Sequence, residues 1–314
     1  MKPFRFGVQC AHLPVERWQA AAQQIEALGY STAFIPDHFT TQWDPMTALP
    51  AISTATQSLN VGSLVYDIDY RHPVIYAKAA ATLHLLSGGR FEFGVGAGWM
   101  ETDYVEAGMP YDRPGVRIAR LEEALEIIVS MWQNERTSFE GEFYQVREIA
   151  QAALLPEGQQ PKILIGGGGK RLLSLAGRHA DIVGINPALP EGRVTAATPA
   201  DSSPERIREK VSWVRDAATR AGRDPDAIEY NALTFVTAIT DDPKPLRESL
   251  AQSSGMTVEQ VADCPLFLTG SAGEIRDRLE RRREETGISY TVIQAGDEAL
   301  LETFAKEVLE PLTR

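Results

Sequence analysis

The chain is poor in cysteine, histidine and basic residues, and each shortage excludes a class of protein. Its two cysteines, Cys10 and Cys264, lie far apart among 314 residues and belong to no CxxC motif, so we expect reduced thiols and no zinc site. The five histidines show no metal-ligand spacing, and we predict no bound metal. The 43 acidic residues outnumber the 31 basic ones and give a net charge of −12, which would repel a phosphate backbone and argues against a nucleic-acid partner.

Long apolar runs are also missing. No stretch approaches the roughly 18 uncharged apolar residues that a membrane helix needs. The N-terminal segment MKPFRFGVQC lacks the apolar region of a signal peptide. We therefore expect a cytoplasmic chain with no membrane partner.

The sequence does contain a regular alternation of short apolar segments with helical ones. Eight segments are apolar on both faces and separated by helices, a pattern typical of a parallel sheet. Eight such units form a closed barrel, so the predicted fold is α/β, a (β/α)8 TIM barrel in one domain, 1–314. We also predict a small hairpin at 137–146 and loop insertions at the C-terminal face of the barrel, including a long loop at 187–204. The eight predicted strands are 4–10, 31–36, 59–66, 90–96, 162–166, 181–186, 228–239 and 288–294.

Two titratable side chains stand directly after the second predicted strand. The segment STAFIPDHF (31–39) contains Asp37 and His38 directly after the end of the predicted strand. The ordinary interpretation is a pair of loop residues, with Asp37 capping the next helix. In a parallel barrel, however, the loops after the strands converge over one mouth, and catalytic residues lie there. This position favours a functional role, because a histidine can hold or pass a proton near neutral pH.

Two glycine-rich segments follow other strands. GGGG (166–169) precedes a predicted helix at Lys170, and amides at a helix N-terminus favour a bound phosphate; a plain flexible turn is the alternative. GVGAGW (94–99) matches GxGxxG poorly and has no acidic residue at the expected distance, so we do not predict dinucleotide binding there. Its glycines either let a flat ring approach the backbone or pack tightly at the barrel rim.

Taken together, these segments resemble the bacterial luciferase-like family, and within it the branch that depends on the deazaflavin coenzyme F420. The resemblance covers most of the chain. It rests on six segments: GYSTAFIPDHF, VGSLVYDIDYRHPVIYAKAAATLHLLSGGRFEFGVGAGWMETDY, RLEEALEIIVSMW, FEGEFYQV, ILIGGGGKRLLSLAGRHAD and TGSAGEIRDRLERRREETGISYTVI. The order and spacing of these segments make the family resemblance specific, whereas they distinguish its cofactors less well.

The resemblance implies a role for each matching position. Asp37 and His38 are the expected catalytic pair beside the reactive centre of the ring, and Trp43 covers the same pocket. A bulge after the third strand is expected to support the ring, with a cis peptide bond between Leu64 and Val65. The expected cofactor contacts are Asp37, Trp43, Ser63, Leu64, Val65, Gly96, Ala97 and Gly98, with the phosphate on Gly166, Gly167, Gly168 and Gly169.

One position departs from the family pattern. Sugar-phosphate dehydrogenases of the family carry a glutamate just after the glycines of the fourth strand, and this chain has Trp99 there. A sugar phosphate is therefore not the substrate that we expect. The expected substrate pocket consists of His12, Trp43, Trp99 and Tyr104.

The function implied by the resemblance is hydride transfer between F420 and a small organic substrate. An FMN-dependent monooxygenase that uses reduced flavin and oxygen is the alternative on the same scaffold. A non-catalytic binding protein is a second rival, which the presence of Asp37, His38 and the glycine loop disfavours. We further expect a homodimer, and a separate reductase is a possible partner that supplies reduced cofactor.

Overall fold

Eight parallel strands close into a barrel in the computed structural model, which describes residues 1–153, 155–156, 158–189, 191–196 and 198–314. Each strand pairs with its neighbours in chain order, including β3 with β4. The pairing of β1 with β8 closes the circle. The predicted barrel is therefore confirmed. The strands are β1 (Arg5–Gln9), β2 (Thr32–Ile35), β3 (Asn60–Ser63), β4 (Phe91–Gly96), β5 (Lys162–Gly167), β6 (Ile182–Ile185), β7 (Glu229–Thr234) and β8 (Ile288–Gln294).

Helices cover the outside of the barrel. They are α1 (Trp18–Ala27), α2 (Pro45–Ala55), α3 (Pro73–Leu86), α4 (Glu101–Glu106), α5 (Pro114–Gln133), α6 (Lys170–His179), α7 (Pro204–Arg220), α8 (Lys244–Ser254), α9 (Val258–Asp263), α10 (Ala272–Thr286), α11 (Glu298–Phe304) and α12 (Glu310–Thr313), with a π-helical turn at Ala305–Leu309. Within the described ranges, no helix combines the length and the apolar character needed to cross a membrane.

The strands alternate between a helix-facing side and a barrel-facing side, because successive side chains of a strand point in opposite directions. On β1, Phe6 and Val8 join the large apolar core beneath the helices, whereas Arg5 and Gln9 bond to residues of other barrel strands. A smaller apolar cluster, which includes Phe34 and Leu164 and Val292, fills the barrel. Most of the buried apolar residues thus belong to the core beneath the helices.

A charged cluster fills the N-terminal end of the barrel. Arg5 forms ion pairs with Glu92 of β4 and, at 2.7 Å, with Glu229 of β7. Its guanidinium also lies 4.2 Å from the centre of the Tyr290 ring, and Tyr290 Oη donates to Glu92 Oε2 at 3.1 Å. Both carboxylates are buried, so this cation holds together strands from opposite sides of the barrel.

The predicted strand 228–239 is wrong in its second half. β7 ends at Thr234, and Val236–Ile239 pairs in parallel with Phe267–Gly270 in a separate two-stranded sheet. The chain leaves the barrel at Phe235, whose amide donates to Leu266 O at 2.9 Å and whose side chain is exposed. The apolar sequence continues through this point, so composition does not mark the exit.

Other boundaries differ less. The hairpin predicted at 137–146 runs from Arg136–Glu140 to Gln145–Ala150. The predicted loop 187–204 contains a 3-10 turn at Thr198–Ser202, and Pro190 and Ala197 of that loop lie outside the described residues. α4, α9 and the strand Phe267–Gly270 are additions that the sequence pattern did not predict.

Candidate active site

The bulge after β3 joins four strands at the barrel mouth. The peptide bond between Leu64 and Val65 is cis, as predicted. Leu64 O accepts a 2.7 Å hydrogen bond from Gln9 Nε2 on β1, and Gln9 Oε1 accepts one of the same length from Gln294 Nε2 on β8. Ser63 Oγ donates to Ile35 O at 3.0 Å and is fully buried. The bulge is therefore fixed from three sides.

Glycines of β4 and β5 make room for this bulge. A Cβ atom on Gly94 would lie only 1.8 Å from Ser63 O, and one on Gly96 would lie 2.8 Å from Val65 Cγ2. A Cβ atom on Gly166 would lie 3.6 Å from Val65 Cγ1. The structure thus brings the predicted residues Val65, Gly96 and Gly166 together, and Gly94 and Gly96 are needed for close packing.

Asp37 lies in a buried ion pair below the surface of the mouth. Its two carboxylate oxygens accept hydrogen bonds of 2.7 and 3.3 Å from Arg71, and its Oδ2 also accepts from Asp67 N at 3.3 Å. Arg71 reaches on to Asp44 Oδ2 at 2.8 Å, and Asp44 caps α2 by accepting from Thr47 N. Burial raises the pKa of Asp37, and the Arg71 guanidinium opposes that rise.

His38 lies above Asp37 and is held by a carboxylate from another loop. Its Nδ1 is 2.6 Å from Asp103 Oδ2, and the same oxygen accepts from Tyr70 Oη at 3.0 Å. Because a carboxylate can only accept, Nδ1 carries the proton and Nε2 is the nitrogen left for proton exchange. The His38 ring meets the Trp99 ring edge to face at 5.5 Å. Asp103 is buried, whereas the His38 side chain is 19% exposed, so the pair presents the imidazole to the mouth.

A second carboxylate group lies deeper, around the Tyr104 hydroxyl. Tyr104 Oη is 2.7 Å from Asp67 Oδ2 and 3.0 Å from Asp69 Oδ2, and the tyrosine is fully buried. One hydroxyl proton cannot serve two carboxylates. The hydrogen bonds are complete only when one of the two acids is protonated and donates to Tyr104 Oη, which then donates to the other acid.

The electrostatic surroundings of these two acids indicate that Asp67 holds the proton. Burial raises the pKa of Asp67 to about 7. Burial also raises the pKa of Asp69, but Arg120 opposes this rise. The Arg120 Nε atom lies 2.8 Å from Asp69 Oδ1, in an ion pair whose geometry is not that of a hydrogen bond. Asp69 is therefore the acid that carries the charge.

Gly98 covers this group and Arg117 fixes the loop that contains it. A Cβ atom on Gly98, whose φ is +67°, would lie 1.9 Å from Tyr104 Oη and 2.4 Å from Asp67 Oδ2. Arg117 Nε donates to Ala97 O at 3.1 Å, and its guanidinium lies 4.2 Å from the centre of the Tyr111 ring. Only glycine therefore fits at position 98.

The loops after β4 and β6 are in contact beside Trp99. Tyr111 Oη donates to Trp99 O at 2.9 Å, and Glu101 N donates to Gly192 O at 3.2 Å. A Cβ atom on Gly192 would lie 2.4 Å from Tyr111 Oη and 3.1 Å from Trp99 O. On the other side of the mouth, Trp43 N donates to Ala11 O at 2.9 Å, and the neighbouring His12 is exposed.

The four-glycine segment 166–169, at the end of β5, does not form a simple flexible turn. Gly166 and Gly167 belong to β5, and a Cβ atom on Gly168 would lie 2.3 Å from Ala188 N. Gly169 is the N-cap of α6, has no side-chain capping bond, and would place a Cβ atom in open space among the described residues. The first amides of α6 are thus left to an external acceptor.

Two asparagine amides lie beside Gly184 of β6, which pairs with Gly166 of β5. A Cβ atom on Gly184 would lie 3.6 Å from Asn231 Oδ1 and 3.7 Å from Asn186 Nδ2. Asn231 is buried, and its Nδ2 has no hydrogen-bond partner in the described part of the chain. An unpaired buried donor and an uncapped helix fit a ligand with a polar ring and an anionic tail, as the predicted coenzyme has. The described residues contain no cluster of three or more histidines, cysteines or carboxylates arranged for a metal ion.

The residues that sequence reasoning missed are mostly partners of the predicted ones. Asp103 and Tyr104 lie in the segment GWMETDY, which contains the first four residues of the short helix α4, but only Tyr104 has a predicted role. Asp67 and Asp69 follow the predicted bulge, in the segment YDIDY. A cluster of acids and tyrosines after two neighbouring strands is the signal that could have identified them.

Comparison with known proteins places these features in a family. The family model for luciferase-like monooxygenase matches residues 4–287. The F420-dependent glucose-6-phosphate dehydrogenase of Intrasporangium calvum is 27% identical over an alignment of 342 positions, which covers 94% of this chain and 98% of that protein. The phthiodiolone/phenolphthiodiolone dimycocerosates ketoreductase of Mycobacterium tuberculosis is 32% identical over 206 residues, which cover 65% of this chain and 49% of that protein.

A solved structure shares the fold over nearly the whole chain. It is the coenzyme F420 dependent tetrahydromethanopterin reductase from Methanopyrus kandleri, with a TM-score of 0.79. Its sequence is 20% identical, and the match covers 99% of this chain and 100% of that one.

Proposed function

Because the chain belongs to the luciferase-like monooxygenase family, we propose that it is an oxidoreductase that uses coenzyme F420 to transfer hydride to or from a small organic substrate. The observation that carries this proposal is His38, held by Asp103 at the barrel mouth with Nε2 directed away from its carboxylate partner. Two kinds of relative support the choice of cofactor, since the names of the dehydrogenase and the reductase described above both include F420.

The chain offers a separate contact for each part of such a coenzyme. Leu64 and Val65 of the bulge would support the ring, together with Ser63 and the segment Gly96 to Gly98. The uncapped N-terminus of α6 after Gly166–Gly169 would hold the phosphate. When bound, the deazaflavin supplies the carbon that gives or accepts hydride.

His38 supplies the proton chemistry that accompanies hydride transfer. Asp103 holds Nδ1–H, so Nε2 accepts a proton from the substrate or, once protonated, donates one to it. Asp37 accepts hydrogen bonds from Arg71 on both of its oxygens and fixes the loop that carries His38. We therefore assign His38 to the proton step and Asp37 to positioning.

Aromatic side chains define the substrate side of the mouth. Trp99 and Trp43 would exclude water from the reacting groups, with the exposed His12 at the rim and Tyr104 supporting the floor from below. Trp99 occupies the place of the glutamate found in sugar-phosphate dehydrogenases, so we propose a substrate other than a sugar phosphate. The loops 99–115 and 187–204 would set its identity.

The proposal extends to partners and location. α3 exposes three large apolar side chains, Ile75 (52%), Leu85 (42%) and Leu86 (74%), and we propose that a second copy of the chain covers them. We also propose a cytoplasmic location and a separate reductase as the source of reduced cofactor.

A side-by-side fluorescence titration with F420 and FMN tests the cofactor. We expect F420 to bind at least tenfold more tightly, a difference of about 1.4 kcal/mol. Tighter binding of FMN by the same factor, together with a strict need for oxygen during turnover, would select the monooxygenase alternative.

Replacement of His38 tests the assigned proton step. His38→Ala should lower kcat and kcat/KM together by about 10²–10⁴-fold and leave the dissociation constant of F420 nearly unchanged. Restoration of most of the rate by saturating cofactor would instead assign His38 to cofactor binding. Equal hydride-transfer rates in both proteins, measured in single turnovers, would remove His38 from the mechanism.

A further inference from the structure

A cavity of about 290 Å³ lies between α7 and α10, and none of its lining residues belongs to the candidate active site. We refer to it as the α7–α10 cavity. Four arginines line it, Arg208, Arg278, Arg281 and Arg282, against three carboxylates. The lining therefore carries one positive charge in excess.

Two of the four arginines form ion pairs with all three carboxylates. Arg208 forms ion pairs of 3.0 Å with both Glu205 and Glu285. Arg281 pairs with Asp263 at 2.6 Å. These pairs are partly exposed, so they neutralise one another at the rim of the cavity.

A third arginine is satisfied by the backbone. Arg278 donates from one terminal nitrogen to Thr269 O at 2.5 Å and from the other to Ala262 O. Carbonyl oxygens satisfy its hydrogen bonds but bring no negative charge. Arg278 therefore adds to the positive potential of the cavity without being free to bind a ligand with both ends of its fork.

Arg282 is the exception. The residue is 7% exposed, and its two terminal nitrogens have no hydrogen-bond partner among the residues that the structure describes. Among the charged groups around it, Arg278 and Arg281 oppose its positive charge, and Asp263, already paired with Arg281, favours it. Burial lowers the pKa of Arg282 to about 10, so the side chain is still protonated at neutral pH. A buried cation without a partner is costly to the folded state, and an anion would offset that cost.

We propose that the α7–α10 cavity binds a small oxyanion of the phosphate type, held by the forked terminal nitrogens of Arg282. A guanidinium fork matches two oxygens of a phosphate group, and the volume exceeds that of several waters, each of which occupies about 30 Å³. The first turn of α7 lines the same cavity through Pro204 and Glu205, so the helix N-terminus adds favourable potential. Both terminal nitrogens are shielded in this conformation, so binding of the oxyanion requires the Arg282 side chain to turn toward the cavity.

Equilibrium dialysis with labelled inorganic phosphate tests this site. The Gly169→Asp protein is the starting point, since a carboxylate at the α6 N-terminus competes with phosphate there and its Cβ atom meets open space among the described residues. We expect this protein to bind one phosphate. Adding Arg282→Met should weaken that binding at least tenfold, whereas adding Arg281→Met, next to it on α10 but paired with Asp263, should change it less than threefold.

Either of two results overturns the proposal: no phosphate bound by the Gly169→Asp protein, or equal affinity with and without Arg282→Met. If the Arg282→Met protein does not fold, Arg282→Lys takes its place. Lysine keeps the charge and loses the fork, and the same tenfold weakening is expected. The result is independent of the proposed F420 chemistry, because no cofactor or turnover enters the measurement.

Discussion

Asp67→Asn is expected to stabilise the protein at pH 8, although it removes a charged group from beside the active site. In the structure Asp67 Oδ1 accepts from Asp69 N at 3.0 Å and Oδ2 lies 2.7 Å from Tyr104 Oη. An asparagine can keep its oxygen toward Asp69 N and donate from its amide to Tyr104 Oη, which then donates to Asp69. The substitution reproduces the protonated acid and leaves every hydrogen bond in place.

The sign and size of the effect follow from the pKa of Asp67. Burial raises it from an ordinary value of 3.8 to about 7, so between these values the folded protein binds a proton that the unfolded chain releases. Stability is therefore lost as the pH rises through this window, and the full penalty is present above pH 7. At about 1.4 kcal/mol per pH unit the penalty reaches about 4 kcal/mol. Asparagine never incurs it.

Thermal unfolding between pH 4 and pH 8 measures this difference. With an unfolding entropy of about 2.1 cal/mol/K per residue, 4 kcal/mol corresponds to a Tm higher by about 6 °C for the variant at pH 8, and the two Tm values should converge near pH 4. Asp69→Asn is the control, since it leaves Arg120 without its buried partner and should lower Tm at pH 8. A Tm difference for Asp67→Asn that does not vary with pH, or a lower Tm at pH 8, refutes the reasoning.

Three further outcomes are expected. Asp103→Asn should lower kcat by about 10–100-fold with little change in cofactor affinity, because a charge-assisted hydrogen bond to His38 is worth about 1.5–3 kcal/mol. The control Tyr70→Phe removes one neutral donor to the same oxygen and should lower kcat less than about fivefold; equal losses of kcat in the two variants would contradict this. Arg5→Met leaves Glu92 and Glu229 buried without a cation and should cost about 3–5 kcal/mol in urea unfolding, against less than about 1 kcal/mol for Arg17→Met in an exposed pair with Glu298. Gly98→Ala should lower the free energy of unfolding by about 2 kcal/mol more than Gly108→Ala, since both residues have positive φ but only at Gly98 would the new methyl group meet Tyr104. Similar losses of stability in thermal unfolding would show that the loop moves to accept the methyl group.

The barrel could be predicted because its signal is local. Parallel strands buried on both faces are continuous apolar runs, and the helices between them keep a helical period. The same rule failed after Thr234, where an apolar run passes from β7 into a different sheet without a glycine or proline at Phe235. Pairing partners, rather than composition, decide where such a strand ends.

The candidate site could be predicted only in part, for a related reason. His38 and Asp37 are visible because they directly follow a strand. Their partners are not, since Asp103 is 65 residues from His38 and Arg71 is 34 residues from Asp37. Which oxygen faces which nitrogen depends on how three loops pack over one mouth, and a single sequence does not contain that geometry.

The contact of Gly192 with Trp99 and Tyr111 has a consequence for how this protein can change. The two loops proposed to select the substrate are not independent modules, because a side chain at position 192 would collide with the phenol that holds the Trp99 carbonyl. A chimera that takes 187–204 alone from a relative without this glycine would displace the loop after β4, and with that loop Trp99. Libraries aimed at new substrates therefore need to vary 99–115 and 187–204 as a pair, and natural divergence of one loop is expected to be accompanied by compensating substitutions in the other.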